Sequence, residues 1–188
     1  MKRSDINYLI RCAKKAFRSN GWALPPEPRW DVTDLGLGDW RTVGLVLVNL
    51  AEEPEYCEKL MYAQCRMTTP AHTHRMKKED IICRAGYLSL IVWNKAPRLA
   101  DGDVDLKFCG EARTVPSGTT FSLGPGERVT IVPGVWHSFV PLSDECIIGE
   151  VSTANDDVND NVFDDPNIGR FPHIEEDEPG TLRLISEF

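Results

Sequence analysis

The sequence predicts an all-β domain, a sandwich or barrel of the jelly-roll kind, preceded by one amphipathic helix. Three observations predict it. Apolar residues recur at helical spacing only near the start of the chain. From about residue 40 to residue 153, short apolar or alternating runs follow one another, separated by Gly, Pro, Asp or Asn. No helical period interrupts those runs. The chain of 188 residues reads as one domain over 1–188. Residues 1–40 are the helix and a linker, 41–153 the barrel, and 154–188 an acidic tail that packs on the barrel.

The helix rests on Ile6, Leu9, Ile10, Ala13, Ala16 and Phe17, with Arg11, Lys14, Lys15 and Arg18 mostly on the opposite side. Ser4 can cap its start and Asn20-Gly21 can end it. LPPEPRW then reads as linker, because its prolines cannot continue a helix. The strand signals are RTVGLVLVNLA, EYCEKLMYAQCRM, DIICRAGYLSLIVWN, VDLKFCGEA, GTTFSLG, ERVTIVPG, WHSFVPL and ECIIGEVST, seven or eight strands in all. The tail is acidic, but it carries Phe163, Ile168, Phe171 and Ile174, which a purely solvated segment would lack.

Composition narrows the function. The 29 acidic residues outnumber the 21 basic ones, giving a net charge of -8. Such a chain repels phosphate backbones, so nucleic acid is not expected as a partner. No run of eighteen apolar residues exists, so no membrane span is expected. The N-terminus has no continuous apolar core and does not read as a secretory signal. Six cysteines, at 12, 57, 65, 83, 109 and 146, form no C-x-x-C pair. Cys65 and Cys83 fall in apolar or alternating runs, where thiols act as small buried hydrophobes. A cytoplasmic location fits these free cysteines.

The chemistry concentrates in Pro70-Ala-His72-Thr-His74-Arg-Met-Lys77-Lys-Glu79. In an extended strand His72 and His74 point to the same face and can chelate one metal. Glu79 returns a carboxylate after a short turn, and His137, on a later strand, offers a third imidazole. Three imidazoles and a carboxylate suit a divalent transition metal. With two octahedral positions left over, Mn²⁺ or Fe²⁺ is favoured, and four-coordinate Zn²⁺ is possible. His173 lies outside this arrangement and reads as a surface or packing residue.

These residues resemble the cupin superfamily. His72, His74, Glu79 and Gly86 stand at the spacing of its first motif, and Gly126, Gly134 and His137 match its second. The chain departs from the pattern at Arg66, where a Gly is usual, at Pro133, one place late, and after His137, where an Asn is common. Within that superfamily the chain is similar to the D-lyxose isomerases. The likeness covers RCAKKAF, WDVTDLGLGD, PAHTHRMKKEDI, EVSTANDD and GRFPHIEEDEP.

The resemblance implies a cupin jelly-roll barrel and aldose–ketose isomerisation of a monosaccharide. D-lyxose would go to D-xylulose, and D-mannose to D-fructose, through a cis-enediol. It implies Mn²⁺, with Fe²⁺, Zn²⁺ and Co²⁺ as alternatives, and a homodimer. It assigns the metal to His72, His74, Glu79 and His137. The catalytic residues fall on Lys77 and a late glutamate, placed at Glu175 with Glu150 and Glu176 as alternatives. Two other functions use the same ligand set: an Fe²⁺ dioxygenase, which consumes O₂, and a sugar-binding cupin without turnover.

Overall fold

A computed structural model gives the structure, and it describes residues 1–153, 156, 159–169 and 173–187. The helix α1 spans Arg3–Ser19. Thirteen strands follow among the described residues. They are β1 (Arg29–Thr33), β2 (Leu45–Glu52), β3 (Tyr56–Gln64), β4 (Thr69–His74), β5 (Glu79–Ala85), β6 (Leu88–Trp93) and β7 (Asp103–Phe108). The rest are β8 (Glu111–Pro116), β9 (Thr119–Leu123), β10 (Arg128–Ile131), β11 (Trp136–Pro141), β12 (Glu145–Thr153) and β13 (Asn161–Phe163).

The strands form two antiparallel sheets. The larger runs β1-β2-β3-β12-β5-β10-β7-β8 and the smaller β13-β4-β11-β6-β9. This is the expected jelly-roll plan with an N-terminal helix. The count exceeds the seven or eight strands read from sequence because two runs are hairpins and because β1, β4 and β13 lie outside the runs. Gly86 splits one of the two hairpin runs into β5 and β6 at a φ of +80°. A Cβ there would sit 2.5 Å from the Glu145 carbonyl oxygen and 2.5 Å from Ser143 Oγ, so only glycine fits.

Strands β1 to β3 explain how the helix and the site share one sheet. Side chains alternate across a strand. Trp30, Val48, Leu60 and Tyr62 fall on one face, and the ring of Trp30 stacks on Phe17 of α1 with centroids 6.3 Å apart. Asp31, Leu47, Lys59 and Met61 fall on the other face and line a cavity. Both faces are covered, so the run Leu45–Val48 is apolar throughout rather than alternating. β1 lies in the stretch read from sequence as linker. It pairs with β2 from Arg29↔Asn49 to Thr33↔Leu45, and so begins the larger sheet well before residue 41.

Two smaller expectations change. Ser4 does not cap α1: the N-cap is Lys2, with no side-chain hydrogen bond. Ser4 lies inside the first turn, and its backbone N–H and hydroxyl both donate to the Asp177 carboxylate, at 2.9 and 2.7 Å. Cys65 is exposed, because it sits in the turn after β3, whereas Cys83 is buried as expected. Of the tail residues expected to pack, Ile174 meets the core and Phe163 lines the cavity. Phe171 lies outside the described residues.

Candidate metal centre and active site

The smaller sheet brings three imidazoles together. His72 and His74 project from β4, and His137 of β11 pairs directly with His72. Their ring centroids are 4.1 Å apart for His72 and His137, 5.2 Å for His72 and His74, and 5.6 Å for His74 and His137. The larger sheet supplies the carboxylate. Glu79 opens β5 after the turn at 75–78, and its Oε1 lies 3.2 Å from His74 Nε2 and 2.9 Å from His137 Nε2. One ligand atom from each of the four residues falls within 4.8 Å of the others, and all four residues are buried.

The donor set fits a metal. His74 Nε2, His137 Nε2 and Glu79 Oε1 are buried, and none has a hydrogen-bond partner in suitable geometry. Buried polar atoms are rarely left so, and a cation shared among them satisfies all three. The Nδ1 of His72 lies 2.8 Å from the Pro70 carbonyl and that of His137 lies 3.3 Å from the Val135 carbonyl. An N–H donated there leaves each Nε2 lone pair free for a metal. Burial, with the neighbouring His137 and His74, holds the His72 imidazole well below its ordinary range. Neutral imidazole is the form that binds metal.

Beside this cluster stands a second group of charges. Lys77, on the turn between β4 and β5, places its Nζ 3.2 Å from Glu79 Oε2 and 2.9 Å from Glu150 Oε1. Lys59, from β3, reaches the same Glu150 oxygen at 3.6 Å. Glu150 lies on β12, opposite Lys59 on one side and Ile81 on the other. All three are buried. Burial works against ionising Glu150, but Lys59 and Lys77 outweigh it and hold its carboxyl below the usual carboxylate range. Glu79 is held low in the same sense: burial opposes it, and Lys77, His74 and His137 prevail.

These groups line a partly enclosed cavity of about 640 Å³, its mouth included. Asp31, Thr33 and Asn161 add polar atoms to its wall, and Leu47, Met61, Ile81, Phe139 and Phe163 add apolar surface. A concave site with few convergent polar groups among apolar walls suits a small ligand. Phe163 of β13 packs against the His72 ring at 5.5 Å between centroids.

Glu175 is not brought to this cavity. Its carboxylate is 65% exposed and lies 4.0 Å from Lys2 Nζ. Its backbone bonds to the start of the helix through Met1 and Arg3. Glu176 is likewise turned away, to the Arg3 guanidinium at 2.7 and 2.8 Å. His173 is exposed. Of the three late glutamates weighed from sequence, Glu150 is the one that lines the cavity. Lys59 was missed altogether, and its signal was a charged residue inside the buried run of β3.

The family model described as D-lyxose isomerase matches residues 27–188. The chain belongs to the D-lyxose isomerase family. Its relatives agree over most of their lengths. The D-lyxose/D-mannose isomerase of Escherichia coli O157:H7 is 32% identical, covering 100% of this chain and 98% of its own. That of Serratia proteamaculans is 36% identical over 85% of this chain and 75% of its own. The D-lyxose ketol-isomerase of Cohnella laeviribosi is 32% identical over 86% of this chain and 91% of its own. Among solved structures, L-ribose isomerase variant of Acinetobacter sp. DL28 with L-ribose aligns at a TM-score of 0.70 and 14% identity. That alignment covers 93% of this chain and 98% of that one. The Cellulomonas parahominis L-ribose isomerase aligns at 0.68 and 15% identity, with the same coverage. These likenesses show the shared cupin fold. This member of the D-lyxose isomerase family is thus a sugar isomerase with a buried His/Glu group that could hold a metal.

Proposed function

We propose that this isomerase interconverts D-lyxose with D-xylulose, and D-mannose with D-fructose, by proton transfer through a cis-enediol. The observation that carries this reading is the Lys77–Glu150 pair, 2.9 Å apart and buried beside the imidazole cluster. We assign Mn²⁺ to His72, His74, Glu79 and His137, with Fe²⁺, Zn²⁺ and Co²⁺ as alternatives. When bound there, the metal supplies Lewis-acid polarisation of the sugar oxygens and stabilises the charge that develops on them.

The chain's own residues move the protons. Glu150, kept ionised by Lys59 and Lys77, takes the proton from C2 and returns it to C1. Lys77 carries the second proton between the hydroxyl at C2 and the carbonyl oxygen at C1. The substrate becomes a ketose with no net loss of atoms or electrons, so neither O₂ nor a redox cofactor enters. Two buried ammoniums and two buried carboxylates are paired here, and their mutual attraction offsets the cost of desolvating each. The apolar walls exclude water from the enediol.

The homodimer implied by the resemblance belongs to this reading, and so does a cytoplasmic location. No helix among the described residues is long and apolar enough to cross a membrane, and all six cysteines are free thiols. The test is a coupled assay on metal-stripped protein given D-lyxose or D-mannose, without oxygen, with and without Mn²⁺. Mn²⁺-dependent ketose from either sugar is expected. No ketose from either, together with oxygen consumption when Fe²⁺ is supplied, would replace the isomerase with a dioxygenase.

A further inference from the structure

We propose that Asp160 is the positioning residue for Lys77, acting through the turn at residues 75–78. The inference rests on the reading that Lys77 moves a proton. Asp160 is 5% exposed and immediately precedes β13. Its Oδ1 accepts from the backbone N–H of Met76 at 2.8 Å, and its Oδ2 from that of Lys77 at 2.9 Å. Its carbonyl accepts from the Arg75 N–H at 3.3 Å. One buried carboxylate therefore holds two successive amides of the turn that carries Lys77.

The Arg75 side chain adds one more tie from the same segment, donating to the Asn159 carbonyl at 3.2 Å. Met76 is 77% exposed, so its side chain does not anchor the turn. At the far end, Lys78 is tied to Thr153 by two hydrogen bonds, at 3.1 and 3.0 Å. Asp160 is itself held by the strand that follows it, where β13 pairs with β4 through Asn161↔His74, Val162↔Thr73 and Phe163↔His72. The same short segment thus braces the histidine strand and the lysine turn. Charge-assisted bonds to two adjacent N–H groups are strong and directional. The Lys77 ammonium must reach both Glu79 and Glu150 from the end of a flexible stem, so its backbone has to be placed closely.

Asp160→Asn separates this role from mere packing. The amide has the same shape but one acceptor oxygen, so one N–H must face an NH₂ group. The experiment is a double-mutant cycle of wild type, Asp160→Asn, Lys77→Met and the pair, all loaded with Mn²⁺. Turnover is measured on whichever of D-lyxose and D-mannose the wild type converts, and bound Mn²⁺ is quantified in each. For Asp160→Asn, kcat should fall about 10- to 100-fold, with KM within roughly threefold and bound Mn²⁺ unchanged. In the Lys77→Met background the same change should lower kcat by no more than about twofold. Additive losses would overturn the inference, as would loss of Mn²⁺ from Asp160→Asn, which would mean that Asp160 serves the histidine strand. Lys77→Met with full turnover would instead remove Lys77 from the chemistry and sink the reading beneath. Should Asp160→Asn fail to fold, Asp160→Ser, which keeps one acceptor, carries the same cycle and the same criteria.

Discussion

Glu150 and Glu175 are the same residue type in one chain, and their surroundings are opposite. Glu150 is buried between two ammoniums, whereas Glu175 lies against solvent and Lys2. Glu150→Gln should therefore lower kcat at least about 100-fold, the range of a lost general base, with bound metal retained. Glu175→Ala should keep kcat within about twofold. Steady-state kinetics on the two variants decides between them, and equal losses would contradict the geometry. The cluster that could hold a metal was legible because His72, His74 and Glu79 are close in sequence and the strand period puts the two histidines on one face. Glu150 and Lys59 were not, because only the β3–β12 pairing brings them together. A charge within a buried strand was the clue that each of them left.

At the scale of elements, α1 was readable because its apolar stripe has the helical period. Ile6, Leu9, Ile10, Ala13, Ala16 and Phe17 are all at most 3% exposed. Phe17 meets Trp30 of β1, so Phe17→Ala should cost about 3–5 kcal/mol in urea unfolding. The acidic tail was harder to read, since a charge run looks the same whether it faces water or a partner. Here it docks on the helix start: Glu176 pairs with Arg3, Asp177 with Ser4 and Glu178 with Asn7. Negative groups at a helix N-terminus also complement its dipole. Asn7, 1% exposed, donates to Glu178 and Pro179 and accepts from Thr181. Asn7→Ala leaves those groups unpaired and should cost about 1–3 kcal/mol in the same unfolding experiment, with kcat unchanged. β1 escaped the sequence reading because its five residues follow closely on a proline-rich stretch.

The whole molecule joins its two sheets at the site: of the four residues that could hold a metal, three come from the smaller sheet and one from the larger. Its stability should therefore respond to both protons and metal. The His72 imidazole is held below 6.5, so the unfolded chain takes up this proton first as pH falls. Stability from this group is present above about pH 6.5 and declines below it, by up to about 1.4 kcal/mol per pH unit. Glu79 and Glu150, held below 4.5, add stability above that value and lose it as pH falls further. Metal-stripped protein should accordingly unfold at lower denaturant at pH 5.5 than at pH 7, and an unchanged midpoint would contradict the burial of a neutral His72. Mn²⁺ at a hundred times its Kd should add about 2.7 kcal/mol. His137→Ala should abolish that gain in a thermal melt.

The central claim is that protons, not a hydride or oxygen, move in this pocket, and isomerisation in D₂O tests it most directly. Mn²⁺-loaded protein is given unlabelled D-lyxose, and the D-xylulose formed is examined by NMR for deuterium at C1. A base that lifts the C2 proton and exchanges it with solvent places deuterium on C1 of the product, and Glu150→Gln should suppress both turnover and label. Ketose formed at the full rate by Glu150→Gln, with no deuterium at C1 from either protein, would mean that no base at this position lifts the C2 proton and would contradict the account.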